Sequence, residues 1–97
     1  MIEHIVLLKL KEGATESQTQ AILDGLKNLS LPGIESVTGG YNNSPEGKSN
    51  GFDWGFTIQF SSLEARDAYL PHPDHKAVSQ SFIRPIVDDV LVFDYAH

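Results

Sequence analysis

The sequence predicts one small α+β domain in which strands and helices follow in the order βαββαβ. Three observations lead to this fold class. Segments 1–11 and 52–60 are rich in β-forming residues, and the second alternates strictly between large apolar and smaller or polar positions. Helix-start signals follow these segments at residues 15–18 and 61–64. The chain has 97 residues, which is room for a single hydrophobic core.

The first half of the chain predicts a strand, a helix and a second strand. Segment 1–11 contains no helix or strand breaker, and its faces alternate with a period of two. The face expected to meet the helices holds Ile2, His4, Val6, Leu8 and Leu10. Thr15 and Gln18 form a capping box that opens a helix of about four turns. The Leu-Pro-Gly sequence at 31–33 ends this helix, and 34–41 is a second strand weakened by two glycines.

The second half predicts a strand, an interrupted helix and a last strand. A polar loop at 42–51 leads into strand three at 52–60, where five aromatic or aliphatic residues share one face. Ser61 and Glu64 are expected to form the second capping box. Prolines at 71 and 73 interrupt the helix, because proline cannot continue the hydrogen-bond ladder. A further helical segment at 73–82 and a strand at 90–95 complete the chain.

Right-handed crossovers arrange these strands in the order 4-1-3-2 with both helices on one face, which is the ferredoxin-like fold. The other face is then uncovered. Strand one presents Ile5 and Leu7 there, and strand four adds apolar residues on both of its sides. A patch of this kind exceeds what a soluble monomer usually exposes, so we expect a homodimer that pairs the two open faces to form an α/β barrel. A monomer with an exposed sheet is the alternative.

Composition excludes several classes of partner. The chain carries 13 acidic and 7 basic residues, for a formal net charge of −6. Nucleic acids and anionic membranes both require a basic face, so neither is expected. No apolar stretch approaches the roughly 20 residues of a transmembrane helix. The sequence has no cysteine, and its first apolar run is too short for a signal peptide. A cytoplasmic location is therefore expected.

Four polar side chains are expected to converge over one end of the sheet. Strands one and four are antiparallel neighbours, which brings His4 close to Asp94, and His75 and Tyr69 reach the same region from the second helical segment. In a catalytic interpretation His75 is a general base, Asp94 orients it, Tyr69 donates a hydrogen bond, and His4 lines the pocket. In a structural interpretation the same groups brace the interrupted helix against the sheet.

Four motifs resemble the stress-responsive dimeric α/β-barrel (Dabb) family. They are the opening strand at 1–11, the turn at 31–34, Tyr69 with the HPDH sequence at 72–75, and the closing strand at 92–95. The resemblance spans nearly the whole chain and implies a ferredoxin-like subunit that forms a homodimeric barrel. Some members have no established catalysis, and one is a plant polyketide cyclase that works without a cofactor.

The resemblance also implies roles for individual residues. The tyrosine and histidine of the cyclase match Tyr69 and His75, and its aspartate and first-strand histidine match Asp94 and His4. Trp54 stands where the cyclase has a further pocket histidine, so the cyclase's substrate is not carried over. A bound ligand is expected to contact His4, Trp54, Val6 and Leu8.

A structural magnesium ion is the one metal that the resemblance implies, and no cofactor is required. The ion would be held by main-chain carbonyls of Asn28, Leu31 and Ile34. Three functions follow: a protein that binds a small carbonyl compound, as a possible acid–base cyclase or lyase; a non-catalytic stress protein; and a cofactor-free monooxygenase, which the motifs fit less well.

Overall fold

Strand β1 (Ile2–Leu10) forms the centre of the fold, and its alternation decides which face meets the helices. The computed structural model describes residues 1–97. Ile2, His4, Val6 and Leu8 are buried beneath the helices, whereas the residues between them are only half-buried. The predicted assignment of the two faces of strand one is confirmed.

The sheet adds β2 (Ile34–Tyr41), β3 (Trp54–Phe60) and β4 (Val87–Ala96). Its order is β2-β3-β1-β4 and every neighbouring pair is antiparallel, which confirms the ferredoxin-like topology. Strand β4 begins three residues before the predicted start, because a register shift at Lys9 and Leu10 lets pairing continue to Val87.

Helix α1 (Glu16–Lys27) begins at the predicted capping box. The backbone N–H of Thr15 donates to Gln18 Oε1 at 2.9 Å, and the backbone N–H of Gln18 donates to Thr15 Oγ1 at 3.3 Å. These two bonds satisfy donors that a helix start leaves free.

Helix α2 (Leu63–Tyr69) begins one residue later than the predicted capping box. Ser62, not Ser61, caps it, and its Oγ accepts from the backbone N–H of Ala65 at 3.1 Å. The backbone N–H of Ser61 instead donates to the Gly33 carbonyl at 2.8 Å. The prediction of a box at Ser61 and Glu64 is therefore wrong, because a tertiary hydrogen bond holds Ser61 outside the helix.

The second helical segment divides into several short pieces. Helix α3 (Pro73–Val78) is capped by His72, whose Nδ1 accepts from the backbone N–H of Asp74 at 3.1 Å. A π-helical turn (Ser79–Ile83) and a 3₁₀ turn (Arg84–Ile86) follow before β4. The predicted interruption by the two prolines is confirmed, and the expected helix at 73–82 ends as a π turn.

The core lies between the helices and one face of the sheet, and the other face is open. Leu91, Phe93 and Tyr95 of β4 are exposed there, and Phe93 retains 62% of its accessible surface. None of the helices has the length and apolar character needed to cross a membrane.

Candidate functional site

Tyr69 and His75 stack against each other where α2 ends and α3 begins. Their ring centroids lie 4.1 Å apart, with 29° between the ring planes. His75 Nδ1 lies 2.9 Å from the carbonyl oxygen of Leu70. Because a carbonyl can only accept, Nδ1 must donate, which leaves Nε2 with a free lone pair. Partial burial lowers the pKa of His75, so the ring is neutral at pH 7 and Nε2 can act as a base.

The hydroxyl of Tyr69 is buried and has no hydrogen-bond partner. Only 1% of Tyr69 is exposed, and its ring packs against Phe60 at 5.1 Å and His4 at 5.8 Å between centroids. Burial raises the pKa of Tyr69 far above its ordinary value, so the hydroxyl keeps its proton. The Tyr69 hydroxyl is therefore a hydrogen-bond donor without an acceptor, on a ring that stacks against the neutral imidazole of His75.

Asp94 joins β1 and α2 through its two carboxylate oxygens. Oδ1 lies 2.8 Å from His4 Nδ1, and Oδ2 accepts from Arg66 Nη1 at 2.8 Å. The expected proximity of His4 and Asp94 is confirmed. The expected orientation of His75 by Asp94 is wrong, because the Leu70 carbonyl occupies the nitrogen of His75 that Asp94 would need.

Trp54 and Leu8 lie at the opposite end of the sheet from the histidines. They are paired in register, whereas His4 is paired with Ile58. Ile58 is four positions after Trp54, which is about 13 Å along a strand. Trp54, Leu8 and Val6 are all buried in the core. Trp54 and Leu8 therefore lie about 13 Å along the strand from the level of His4, and the expected pocket that joins them to Tyr69 and His75 stays a prediction.

A cavity of about 400 Å³ also borders Tyr69. It lies between the 31–33 turn and α2, and His72 borders it as well. The small side chains of Ala65 and Ala68 leave this space open. Sequence reasoning missed the cavity, although two alanines near Tyr69 were a signal for it.

A family model for the stress responsive A/B barrel domain matches residues 2–97. The chain belongs to this family. Among curated Dabb relatives, olivetolic acid cyclase from Cannabis sativa is 27% identical over 96 residues, covering 97% of this chain and 94% of that protein. The resemblance seen in the sequence motifs is confirmed.

Solved structures of related proteins share the fold. The crystal structure of At3g17210 from Arabidopsis thaliana has a TM-score of 0.89 and 27% identity, covering 100% of this chain and 95% of that one. A protein from Jannaschia sp. CCS1 has a TM-score of 0.77 and 29% identity, covering 99% of this chain and 98% of that one. The Jannaschia protein is described as a dimeric ferredoxin-like protein of unknown function.

The magnesium site implied for Dabb proteins maps to the turn after α1. The carbonyl oxygens of Asn28 and Leu31 accept no hydrogen bond from the protein, so both are free to bind a cation or water. Ile34 begins β2 opposite Phe60. Oxygen ligands suit magnesium. An ion there would join carbonyls of the 28–34 segment, which is far in sequence from Tyr69 and His75. The binding of magnesium stays a prediction.

Proposed function

We propose that this Dabb protein binds a small carbonyl compound beside Tyr69 and His75 and acts on it as a cofactor-independent cyclase or lyase. The observation that carries the proposal is the buried Tyr69 hydroxyl without a partner, on a ring that stacks against a neutral histidine. An unpaired buried hydroxyl costs about 1–3 kcal/mol. A ligand oxygen that accepts from Tyr69 would offset that cost.

The two groups suit proton abstraction next to a carbonyl. His75 Nε2 takes the proton from carbon, so the C–H bond breaks, an N–H bond forms, and the electron pair moves onto the carbonyl oxygen. The Tyr69 hydroxyl donates to that oxygen as its charge develops. The proton on His75 then returns to the product, and no redox partner is needed. Acid–base steps of this kind contribute factors of about 10² to 10⁴.

The similarity to olivetolic acid cyclase supports the cyclase or lyase class. The substrate stays open, because Trp54 stands where the resemblance implies a further pocket histidine in the cyclase. The Tyr69 hydroxyl is sealed from solvent, so a ligand must displace packed side chains to reach it. The 400 Å³ cavity between α2 and the 31–33 turn is the nearest space for entry, and its volume lies within the usual range of small-molecule sites.

Binding and turnover can be tested with β-keto thioesters, phenols and quinones. We expect at least one of these probes to raise the melting temperature of the wild-type protein. That rise should disappear in Tyr69→Phe, and turnover of a β-keto thioester should disappear in His75→Ala while the protein stays folded. His97→Gln is the matched control, because His97 is an exposed histidine whose ring contacts Glu3 and Tyr95 and not Tyr69. Turnover retained in His75→Ala would reject the assignment of the base.

A non-catalytic role is the second candidate, and the Asp94 network favours it. The contacts of Asp94 with His4 and Arg66 tie α2 to β1 and β4, as a structural brace would. In this case His75→Ala lowers thermal stability, and no probe produces a shift that depends on Tyr69. The ligand-dependent shift therefore separates the two candidates.

We infer that the protein forms a homodimer through its open sheet face. Two rows of paired residues cross that face from β2 through β3 and β1 to β4. The first row is Gly40, Gly55, Leu7 and Leu91, and the second row is Thr38, Thr57, Ile5 and Phe93. The half formed by β1 and β4 is therefore bulky, and the half formed by β2 and β3 is shallow. A side chain at Gly40 would meet nothing within 4 Å, and a cavity of about 630 Å³ opens over this half.

The two halves are complementary for one arrangement of the copies. A two-fold axis parallel to the strands places the β1–β4 half of one copy over the β2–β3 half of the other. Leu91 and Phe93 then enter the partner's hollow. A two-fold axis perpendicular to the strands would instead place the bulky β1–β4 halves of the two copies against each other. The space over the β2–β3 halves would then stay empty. Close packing favours the first arrangement.

Light scattering and sedimentation test this dimer. Wild-type protein at micromolar concentration should have twice the 10.7 kDa chain mass. Phe93→Asp should produce monomers, and Gly40→Trp should weaken the dimer because it fills the hollow. Leu63→Asp is the control, since Leu63 is similarly exposed at 52% but lies on α2. A wild-type monomer, or a dimer that survives Phe93→Asp, would contradict the inference.

A further inference from the structure

Arg66 connects α2 to the buried histidine of β1 through Asp94. Its Nη1 donates to Asp94 Oδ2 at 2.8 Å, and its Nε donates to Asp67 Oδ1 at 2.8 Å. The Arg66 and Asp94 side chains are each 19% exposed, whereas His4 is 5% exposed. The chain of contacts therefore runs from the protein surface to an imidazole in the core.

The chemistry of each partner fixes the direction of every hydrogen bond in this chain. A guanidinium has only donors, so it requires an acceptor oxygen from Asp94. An ionised carboxylate has only acceptors, so His4 Nδ1 must donate to the other oxygen. His4 Nε2 is left with the free lone pair whenever the ring is neutral. The His4 ring meets the Tyr69 ring edge to face, with 5.8 Å between the centroids.

We propose that Arg66 is a positioning residue, which acts through Asp94 to hold the His4 imidazole in one orientation and in the Nδ1–H tautomer beside Tyr69. The groups that pack around His4 are Asp94 from β4, Tyr69 from α2 and Phe60 from β3, and His75 from α3 is close enough to sense its charge. Of these, only Asp94 is hydrogen-bonded to its ring. A residue that fixes the orientation of the Asp94 carboxylate therefore also fixes the hydrogen bond of the His4 ring.

The consequence for the site rests on the function proposed above. His4 Nε2 would give the site a second acceptor, on a ring that packs against the ring of Tyr69. A ligand with both a carbonyl oxygen and a hydroxyl hydrogen would satisfy this set. The tautomer itself is a property of the free protein, so it can be measured whether or not a substrate is known.

Asp94→Asn is the sharpest test, because asparagine keeps the shape of aspartate and has one acceptor and one donor group. If Arg66 holds the acceptor oxygen, the amide NH₂ must face His4 Nδ1. His4 then switches to the Nε2–H tautomer. Long-range ¹H–¹⁵N spectra of the histidine rings, recorded about two pH units above the ordinary histidine pKa, report which nitrogen lacks hydrogen. His75 serves as the internal reference, since its partner is the Leu70 carbonyl.

Variants of Arg66 complete the test. Arg66→Met removes the donor and should give a mixture of His4 tautomers, whereas Arg66→Lys keeps a donor for Asp94 and should restore the wild-type spectrum. Arg84→Met is the matched control, because Arg84 is exposed in the 3₁₀ turn. A purely structural Arg66 would change stability and leave the His4 tautomer as it is in wild type.

An unswitched His4 in Asp94→Asn would overturn the positioning role even if Arg66→Met failed to fold. That result would leave the assignment of His75 as a base untouched, since the base is tested by His75→Ala and a β-keto thioester. A switched His4 together with retained turnover in His75→Ala would support the role of Arg66 and reject the proposed base.

Discussion

Removal of the Tyr69 hydroxyl should make the protein more stable. In Tyr69→Phe the ring keeps its contacts with Phe60, His4 and His75, and only the unpaired hydroxyl is lost. A buried hydroxyl without a partner costs about 1–3 kcal/mol. Most substitutions of buried residues destabilise proteins, so a gain here would be specific to the unpaired donor.

The size of the effect follows from the length of the chain. For a domain of 60–100 residues, 1 kcal/mol shifts the melting temperature by about 4–8 °C. We therefore expect Tyr69→Phe to melt at least about 4 °C above wild type. Differential scanning calorimetry measures this, at equal protein concentration because the proposed dimer would make the melting temperature depend on concentration.

Tyr41→Phe is the matched control for the loss of a tyrosine hydroxyl. The Tyr41 hydroxyl lies 3.1 Å from Thr19 Oγ1, so its removal breaks a hydrogen bond worth about 0.5–1.5 kcal/mol. Tyr41→Phe should therefore melt below wild type. If Tyr69→Phe instead lost 1 kcal/mol or more, the Tyr69 hydroxyl would have a partner in solution, and the argument for a ligand acceptor would fail.

Three further outcomes test the fold and the site. Burial lowers the pKa of His75 in the folded state below its ordinary 6.5, so the unfolded chain binds the proton first as the pH falls. The free energy of unfolding, measured in urea, should therefore fall as the pH falls from above 6.5 through the lowered pKa. His75→Gln should lack the loss of stability that His75 causes. Gly33→Ala should cost about 1–3 kcal/mol in urea, because Gly33 has φ +86° and an added Cβ would lie 2.4 Å from Ala65 Cβ. Thr15→Ala should cost about 1 kcal/mol by loss of the α1 cap, measured in the same assay.

The fold was predictable because its main signals are local or topological. Alternation in β1, the capping box at Thr15 and the right-handed crossover rule were enough to give the strand order. The errors concern element ends that tertiary contacts decide. Ser61 is held out of α2 by the Gly33 carbonyl, and a register shift at Leu10 extends β4 towards Val87. Neither contact is visible in a sequence window.

The candidate site was predictable only where strand register controls it. His4 and Asp94 are direct partners across antiparallel strands, so their contact followed from the topology. The partner of His75 is a backbone carbonyl five residues earlier, and no side-chain pattern points to it. Arg66 escaped notice because the rotation of α2 about its axis decides whether it faces Asp94 or solvent.

The structural and the catalytic interpretations of the Tyr69 cluster require different side chains at residue 69. A brace needs only the ring, and phenylalanine would make the same contacts without burying an unpaired donor. A reactive site needs the hydroxyl, and the hydroxyl is compensated only when a ligand oxygen accepts from it. A ligand at 100 times its dissociation constant stabilises the folded state by about 2.7 kcal/mol, which is similar to the cost of the unpaired hydroxyl. The proposed ligand would therefore account for the tyrosine, and in the ligand-bound state Tyr69→Phe should lose its advantage in stability over wild type.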